Sequence, residues 1–331
     1  MATTVRDFPW GSPLGYGQAS NRRRATPLPI DSYTSPRRHF HSSLLTQMTF
    51  GPKQGNNYLG VKYPQKTPEV VEKTRKNVFD MFSLKGKVAS ISGSSGGIGF
   101  DVAEAFAQAG ADVAIWYNSR NPEQKVQYLE KEYGIKAKAY KVPVTNLEAV
   151  KDAIKQQIED FGKIDIFVAN AGVIYEGSTL LDEKDDKTWE NVMAINVDGV
   201  KNCAKAVGPH FQERGQGNFI ITGSMSGEII NVPDTMAVYC VSKAAVNHLG
   251  KALALEWAGF ARVNIVSPGY VKTEMTGEKE AELAGNWGPL SPLGRMADPR
   301  ELVGAYLYLA SDASTFTTGT NLIVDGGYTS M

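Results

Sequence analysis

Cysteine is nearly absent from this 331-residue chain, which has only Cys203 and Cys240. Two cysteines with no C-x-x-C or Cys/His grouping suggest neither a disulfide framework nor a structural zinc site, and the usage fits a reducing compartment. Histidine is almost as scarce, at four residues. Neither His210 nor His248 has a ligand partner at metal spacing, so no metal site is expected and both read as packing or surface residues. No apolar run reaches the roughly 18 residues a membrane helix needs. Net charge is missing as well: 35 basic side chains balance 35 acidic ones, which removes the basic excess usual in nucleic-acid binders. What is present, 42% hydrophobic and 21% charged residues, is ordinary globular material with enough apolar mass for a large core. The expected partner is a small molecule, with no nucleic acid and no membrane.

The zero balance hides an asymmetry. Residues 1–47 carry Arg6, Arg22, Arg23, Arg24, Arg37 and Arg38 against Asp7 and Asp31, with no lysine. This segment is rich in Ser, Thr and Pro and has little apolar periodicity, so a disordered basic extension is expected. Its acid-poor, Arg-rich composition and the stretch RRHFHSSL suit a mitochondrial transit peptide, whereas Pro9, Pro13, Pro27, Pro29 and Pro36 oppose an amphipathic targeting helix. A cytoplasmic location is the expectation, mitochondrial targeting and translation from Met48 being the alternatives. Residues 48–80 read as a linker, and 81–331 as one catalytic domain.

From residue 81 onward, short β-type runs alternate with longer helical ones. KVASISG, DVAIWY, AKAYKVPV, IDIFVANAG, NFIITGS, RVNIVSPG and TNLIVDGG read as strands; Ile98–Ala109, Gln124–Glu132, Leu147–Phe161, Lys187–Arg214, Ala237–Trp257 and Pro299–Ala310 read as helices. Seven strands alternating with helices imply an α/β fold of the Rossmann type, a doubly wound parallel sheet covered on both faces. Ligands of such sheets bind at the carboxyl ends of the strands.

Directly after the first strand stands Gly93-Ser94-Ser95-Gly96-Gly97-Ile98-Gly99. Glycines there allow a tight turn, close approach of a pyrophosphate to bare amides, and a helix N-terminus facing the anion. A glycine motif alone is weak evidence, but one set between a strand and a helix, with a second strand following, points to a dinucleotide. That second strand ends in Tyr117-Asn118-Ser119-Arg120, with no acid to accept a ribose 2′-hydroxyl or to repel a 2′-phosphate. Asn118 and Ser119 can donate to such a phosphate and Arg120 can form a charged fork with it, so NADP(H) is the expected cofactor.

Tyr239 and Lys243 are four residues apart in a largely apolar helical run, so both side chains lie on one helix face. The pair by itself is open to two readings: a packed tyrosine beside a lysine that reaches solvent, or a phenol whose proton affinity is lowered by a cation. The wider pattern decides between them. The motifs SGSSGGIG, ANAG (Ala169–Gly172), Asn196 in INVDGV, the serine of ITGSMSG, Tyr239-x-x-x-Lys243 and SPGYVKT (Ser267–Thr273) together resemble the short-chain dehydrogenase/reductase family over about residues 82–331.

That resemblance implies carbonyl reduction with Tyr239 as general acid/base, Lys243 lowering its pKa, Ser224 holding the carbonyl oxygen and Asn196 serving a proton relay. Ser226 is a rival to Ser224. It also places the cofactor against Gly93, Ser95, Gly97, Ile98, Gly99, Asn118, Ser119, Arg120, Val144, Asn170, Ala171, Gly172, Tyr239, Lys243, Pro268, Gly269, Val271 and Thr273. Where family members often carry an acid after strand three, this chain has Val142-Pro143-Val144-Thr145, which puts an adenine contact from that side chain in question. The runs LEWAGFARVNIVSPGYV and LGRMADPRELVGAYLYLASDASTFTTGTNLIVDGG resemble the L-sorbose reductase and mannitol 2-dehydrogenase branch of the family. Reduction of a ketose, L-sorbose or D-fructose, to a hexitol and the reverse is therefore expected, in a homotetramer; a pentulose (xylulose) reductase or 3-oxoacyl reductase is the alternative, and a non-catalytic NADP(H) sensor a distant one. A substrate lid is expected between Thr273 and Leu293, with Glu274, Glu278, Asn286 and Trp287 in it, and Tyr175 and Glu176 are further contact candidates.

Overall fold

The computed structural model describes residues 77–175, 179–181, 185–232, 236–273 and 286–331, with the backbone of 57–58 and 61–62. The first strand, β1 (Val88–Ile91), leads through the glycine turn into α1 (Gly97–Gln108). Then follow β2 (Asp112–Tyr117), α2 (Glu123–Tyr133), β3 (Ala137–Lys141), α3 (Leu147–Phe161) and β4 (Ile166–Ala169). Helix α4 (Lys187–Met193) passes through a π-helical turn, Ala194–Asp198, into α5 (Gly199–Arg214). The chain finishes with β5 (Asn218–Thr222), α6 (Ala237–Glu256), β6 (Arg262–Pro268), α7 (Val303–Ala310) and β7 (Asn321–Val324). All seven strands pair in parallel in the order β3-β2-β1-β4-β5-β6-β7. The order reverses between β1 and β4, and a crevice at the carboxyl ends opens at such a switch point.

The central strands are mostly apolar because both faces are covered. On one face Phe167, Phe219, Ile221, Val263 and Ile265 pack with Val200, Val207 and Phe211 of α5 and Val246 and Leu253 of α6. On the other, Ile91, Val113, Ile115, Ile166, Val168 and Ile220 pack with Val102 and Phe106 of α1 and Tyr306 and Leu309 of α7. Successive strand residues thus go to opposite cores, as the period of two requires. Local chemistry sets the helix ends. Asn146 accepts from the amides of Glu148 and Ala149 at 3.0 and 3.1 Å to start α3, and Gly162 in the left-handed region ends it.

Four expectations are adjusted. AKAYKVPV stops pairing at Lys141, since Pro143 has no amide to continue the ladder. Lys187–Arg214 is not one α-helix but carries the π turn around Asn196. Pro299–Glu301 forms a separate 3-10 turn before α7, closed by a capping box in which Asp298 accepts from Arg300 and the Glu301 carboxylate accepts from the Asp298 amide. The expected linker contains a two-stranded antiparallel ladder, Asn57–Tyr58 with Val61–Lys62, and a 3-10 turn at Asp80–Phe82.

Candidate active site

The glycine turn is shaped by what lies behind it. Gly93 and Gly97 have positive φ, 65° and 53°. A Cβ on Gly93 would stand 2.7 Å from the Ala171 Cα, and one on Gly99 would stand 2.5 Å from both the Asn170 Nδ2 and the Gly93 carbonyl oxygen. The turn can approach β4 this closely only without side chains at these positions. Hydrogen bonds fix it there. The buried Ser92 hydroxyl accepts from the amides of Asn170 and Ala171 at 3.0 and 3.1 Å, and Asn170 Nδ2 donates to the carbonyls of Ser92 and Gly93. Ser94 Oγ donates to the Ile91 carbonyl at 2.7 Å and accepts from the Trp116 amide at 3.2 Å, which ties the turn to the end of β2. Ser92 and Ser94 were not singled out from the sequence; small hydroxyl residues breaking an apolar strand were the available sign.

The outer side of this cradle fits a pyrophosphate. The first-turn amides of α1, at Gly97, Ile98 and Gly99, have no acceptor within the helix. Across from it stands Thr273, 3.6 Å from where a Gly97 Cβ would be. Asn118, Ser119 and Arg120 follow β2 as exposed residues. Pro268 ends β6, and Gly269, whose amide donates to the Val324 carbonyl at 2.9 Å, lies so near Asp325 that a Cβ would meet its Cα at 2.7 Å. Val271 bridges to Ala297 and is buried. The Val144 side chain joins the core against Gly199, and its carbonyl accepts from Asn202 Nδ2 at 3.0 Å. With Pro143 having ended β3, the chain turns inward there.

Beside the cradle lie the catalytic candidates. Ser224 caps the 3-10 turn Met225–Gly227 just past β5. That turn presses on α6, because a Gly227 Cβ would come within 2.8 Å of the Lys243 backbone. The contact sets Ser224 close enough to Tyr239 to act on its titration, while Ser224 Oγ donates to Ser226 Oγ at 3.0 Å. Lys243, 5% exposed, donates from Nζ to the Thr222 carbonyl at 3.0 Å, and the same nitrogen lies 5.6 Å from the Tyr239 ring centre.

The expected lowering of the tyrosine pKa is not what this geometry produces. Burial pushes Tyr239 up to about 12, with the nearby Ser224 hydroxyl acting in the opposite direction. Lys243 is itself pushed down to about 8 by burial, and its ammonium is directed at a carbonyl rather than at the phenol. The phenol is therefore held protonated. Asn196, buried in the π turn, braces the loop after β4: its Oδ1 accepts from the Val173 amide at 2.8 Å, and its Nδ2 donates to the Val173 carbonyl at 2.9 Å and to Ser242 Oγ at 3.1 Å. Oδ1 and the Lys243 Nζ both converge on Gly172, at 3.3 and 3.6 Å from a Cβ placed there. Both ends of the side-chain amide are hydrogen-bonded, which fixes the position of Asn196 beside the site.

On the substrate side, Trp287 stacks on Tyr270 with centroids 4.6 Å apart, and Tyr270 meets Tyr328 edge to face. Asn231 Nδ2 donates to the Tyr270 hydroxyl at 3.0 Å, and the Val238 amide donates to the Tyr175 hydroxyl at 3.4 Å. Tyr270 and Asn231 were not anticipated. Asn286 is exposed, whereas Glu176, Glu274 and Glu278 lie outside the described residues. Cys203 and Cys240 are buried, the latter 3.7 Å from Asn231 Oδ1, and His210 accepts from the Ile164 amide through Nε2. Among the described residues no group of three His, Cys, Asp or Glu could hold a metal.

A sequence model described as "Enoyl-(Acyl carrier protein) reductase" matches residues 93–329. The chain belongs to the short-chain dehydrogenase/reductase family. It is 54% identical to a probable NADP-dependent mannitol dehydrogenase of Yarrowia lipolytica over 261 residues, 79% of this chain and 94% of that protein. It is 53% identical to a sorbose reductase of Candida albicans over 267 residues, 80% of this chain and 94% of that one. Among solved structures, an NADPH-dependent 3-quinuclidinone reductase from Rhodotorula rubra superposes with a TM-score of 0.74 at 45% identity, covering 77% of this chain and 96% of that one.

Proposed function

We propose that this member of the family is an NADP(H)-dependent reductase of a ketose, L-sorbose or D-fructose, to a hexitol, and that it also runs in reverse. The observation that carries the reading is the convergence of Ser224, Tyr239 and Lys243 beside a glycine turn, with Arg120 and no acid just after β2. The similarity to a mannitol dehydrogenase and a sorbose reductase supports the sugar class.

The bound cofactor would supply the hydride, held by the amides after Gly93, by Thr273 and, at its 2′-phosphate, by Asn118, Ser119 and Arg120. Ser224 positions the substrate carbonyl oxygen, and Tyr239 delivers the proton to the oxygen as negative charge develops on it. A phenol held protonated is the correct form for the reductive direction. As the proton leaves, the nearby Lys243 ammonium stabilises the phenolate, so its influence grows along the reaction instead of lowering the resting pKa. Asn196 keeps the loop after β4, and with it Gly172, in register beside Lys243.

Helix α6 exposes Val241, Ala244, Ala252 and Leu255 along one side, with His248 among them. This stripe supports association into a homotetramer, which light scattering on the purified chain tests; a monomer overturns it. A cytoplasmic location is proposed with it, tested by imaging a tagged full-length chain.

For the chemistry, NADPH oxidation is followed with L-sorbose, D-fructose, L-xylulose, D-ribulose and an acetoacetyl thioester. Fast turnover of a hexulose, lost in Tyr239→Phe, is the expected result. Turnover of the thioester alone would overturn the sugar reading and leave the mechanism standing.

A further inference from the structure

Lys125 has no part in the site as described so far. It sits in the first turn of α2, five residues beyond Arg120, and its Nζ donates to the Ser95 carbonyl at 2.8 Å while lying 4.3 Å over the Phe100 ring. Ser95 belongs to the glycine turn and Phe100 to the first turns of α1, so the ammonium is lodged where α2 meets the dinucleotide cradle. Among the described residues it forms no ion pair within 4 Å; its direct partners are a neutral carbonyl and an aromatic face, and Asp101, which it feels at longer range, is already engaged by Arg300 at 3.6 Å. Lysine is strongly hydrated and loses rotamer freedom when fixed, so holding one half-buried against neutral groups calls for a partner that carries the negative charge. Ser95 lies in the turn and Arg120 follows β2, the two segments proposed above to hold the cofactor, and Lys125 is bonded to the first and five residues beyond the second.

We infer that Lys125 is a cofactor-specificity residue, a second cation for the 2′-phosphate, held by Ser95 and Phe100 and acting together with Arg120. The inference rests on the NADP(H) reading above. The competing role is mechanical: Lys125 would merely fasten α2 to the glycine turn. That role would support NADPH and NADH alike, whereas a phosphate contact supports NADPH alone.

The test measures dissociation constants of NADPH, NADH and 2′-AMP for the full-length protein, its Lys125→Met variant and its Lys125→Arg variant, by protein fluorescence and calorimetry, at two salt concentrations, with thermal melts of the free proteins. For Lys125→Met, NADPH and 2′-AMP are expected to bind about tenfold more weakly or worse, as befits loss of one charge-assisted contact. NADH affinity should change less than about twofold, the NADPH salt dependence should become shallower, and Lys125→Arg should restore most of the loss. Equal weakening of NADPH and NADH, or no change in either, overturns the inference while a wild-type preference for NADPH leaves the cofactor reading intact. A wild type that binds both cofactors equally overturns both together.

Discussion

The two ends of the central sheet treat buried charge in opposite ways. At the amino end Asp165, 6% exposed, receives Lys163 at 3.0 Å, Arg214 at 3.0 Å and the Val88 amide at 2.9 Å. Burial works to raise its pKa, but these donors outweigh burial and lower it. Arg262 is pushed down to about 10 by burial, but Asp312 acts against that shift and the guanidinium donates to the carbonyls of Thr317 and Leu309 at 3.0 and 2.8 Å. At the carboxyl end Lys243 meets no carboxylate within ion-pairing distance among the described residues, and Tyr239 and Lys243 are both driven toward their neutral forms, to about 12 and about 8. The amino end is arranged for stability. The carboxyl end keeps two groups whose charged forms are poorly served until a reaction creates charge beside them, which is where perturbed titrations of functional groups concentrate.

Breaking the comparison at its reactive end has the largest effect. Tyr239→Phe removes the proton donor, so kcat should fall by about a thousandfold. The unfolding midpoint should barely move, since Ser224 retains Ser226 as a partner. Steady-state kinetics with a urea melt checks both; a loss of only a few fold would mean another group donates the proton. At the other end, Asp165→Asn leaves Arg214 and Lys163 facing a neutral amide, at a cost of about 3 kcal/mol in stability. The kcat of the folded fraction should be unchanged. Lost activity at full folding would show that the two ends are coupled. Lys243→Met sharpens the contrast, because one substitution should lower activity and raise stability. The shift from 10.5 to about 8 corresponds to a cost of about 3 kcal/mol at neutral pH, offset by about 1 kcal/mol from the bond to Thr222. A net gain of about 2 kcal/mol is expected; a destabilised variant would show that the amine is well accommodated as it stands.

Much of this was legible in the sequence because it depended on local patterns. Leu147–Phe161 begins and ends where its Asn146 cap and Gly162 stop place it, and the seven-strand alternation follows from apolar runs of strand length. The glycine positions were legible because the motif is short and follows a strand, and Tyr239 and Lys243 because they stand one helical turn apart. What could not be read involves contacts across long stretches of chain. The Thr222 carbonyl meets Lys243 across 21 residues and Ser92 meets Asn170 across 78. The direction of the Tyr239 shift was misread for the same reason: adjacency on a helix face shows that a cation is near, but only the fold shows how deeply both groups are buried and where the ammonium points. The π turn at Asn196 has no local signature in its sequence.

The smallest predicted effect isolates Lys243 from every other titration. Its pKa is lower folded than unfolded, so between about pH 8 and 10.5 the unfolded chain binds the extra proton, and stability rises with pH across that window. Tyr239 behaves in the opposite sense. Its raised pKa contributes stability that is complete below pH 10 and is lost as pH climbs toward about 12. Many exposed lysines also titrate in this range, so the wild-type curve alone is uninformative, but they titrate alike in a variant. Subtracting the Lys243→Met stability curve from the wild-type curve should leave a difference that closes as pH rises from 8 to 10.5, with a slope of at most about 1.4 kcal/mol per pH unit. A flat difference would mean that Lys243 titrates at its ordinary value, and the contrast between the two ends of the sheet would then rest on Tyr239 alone.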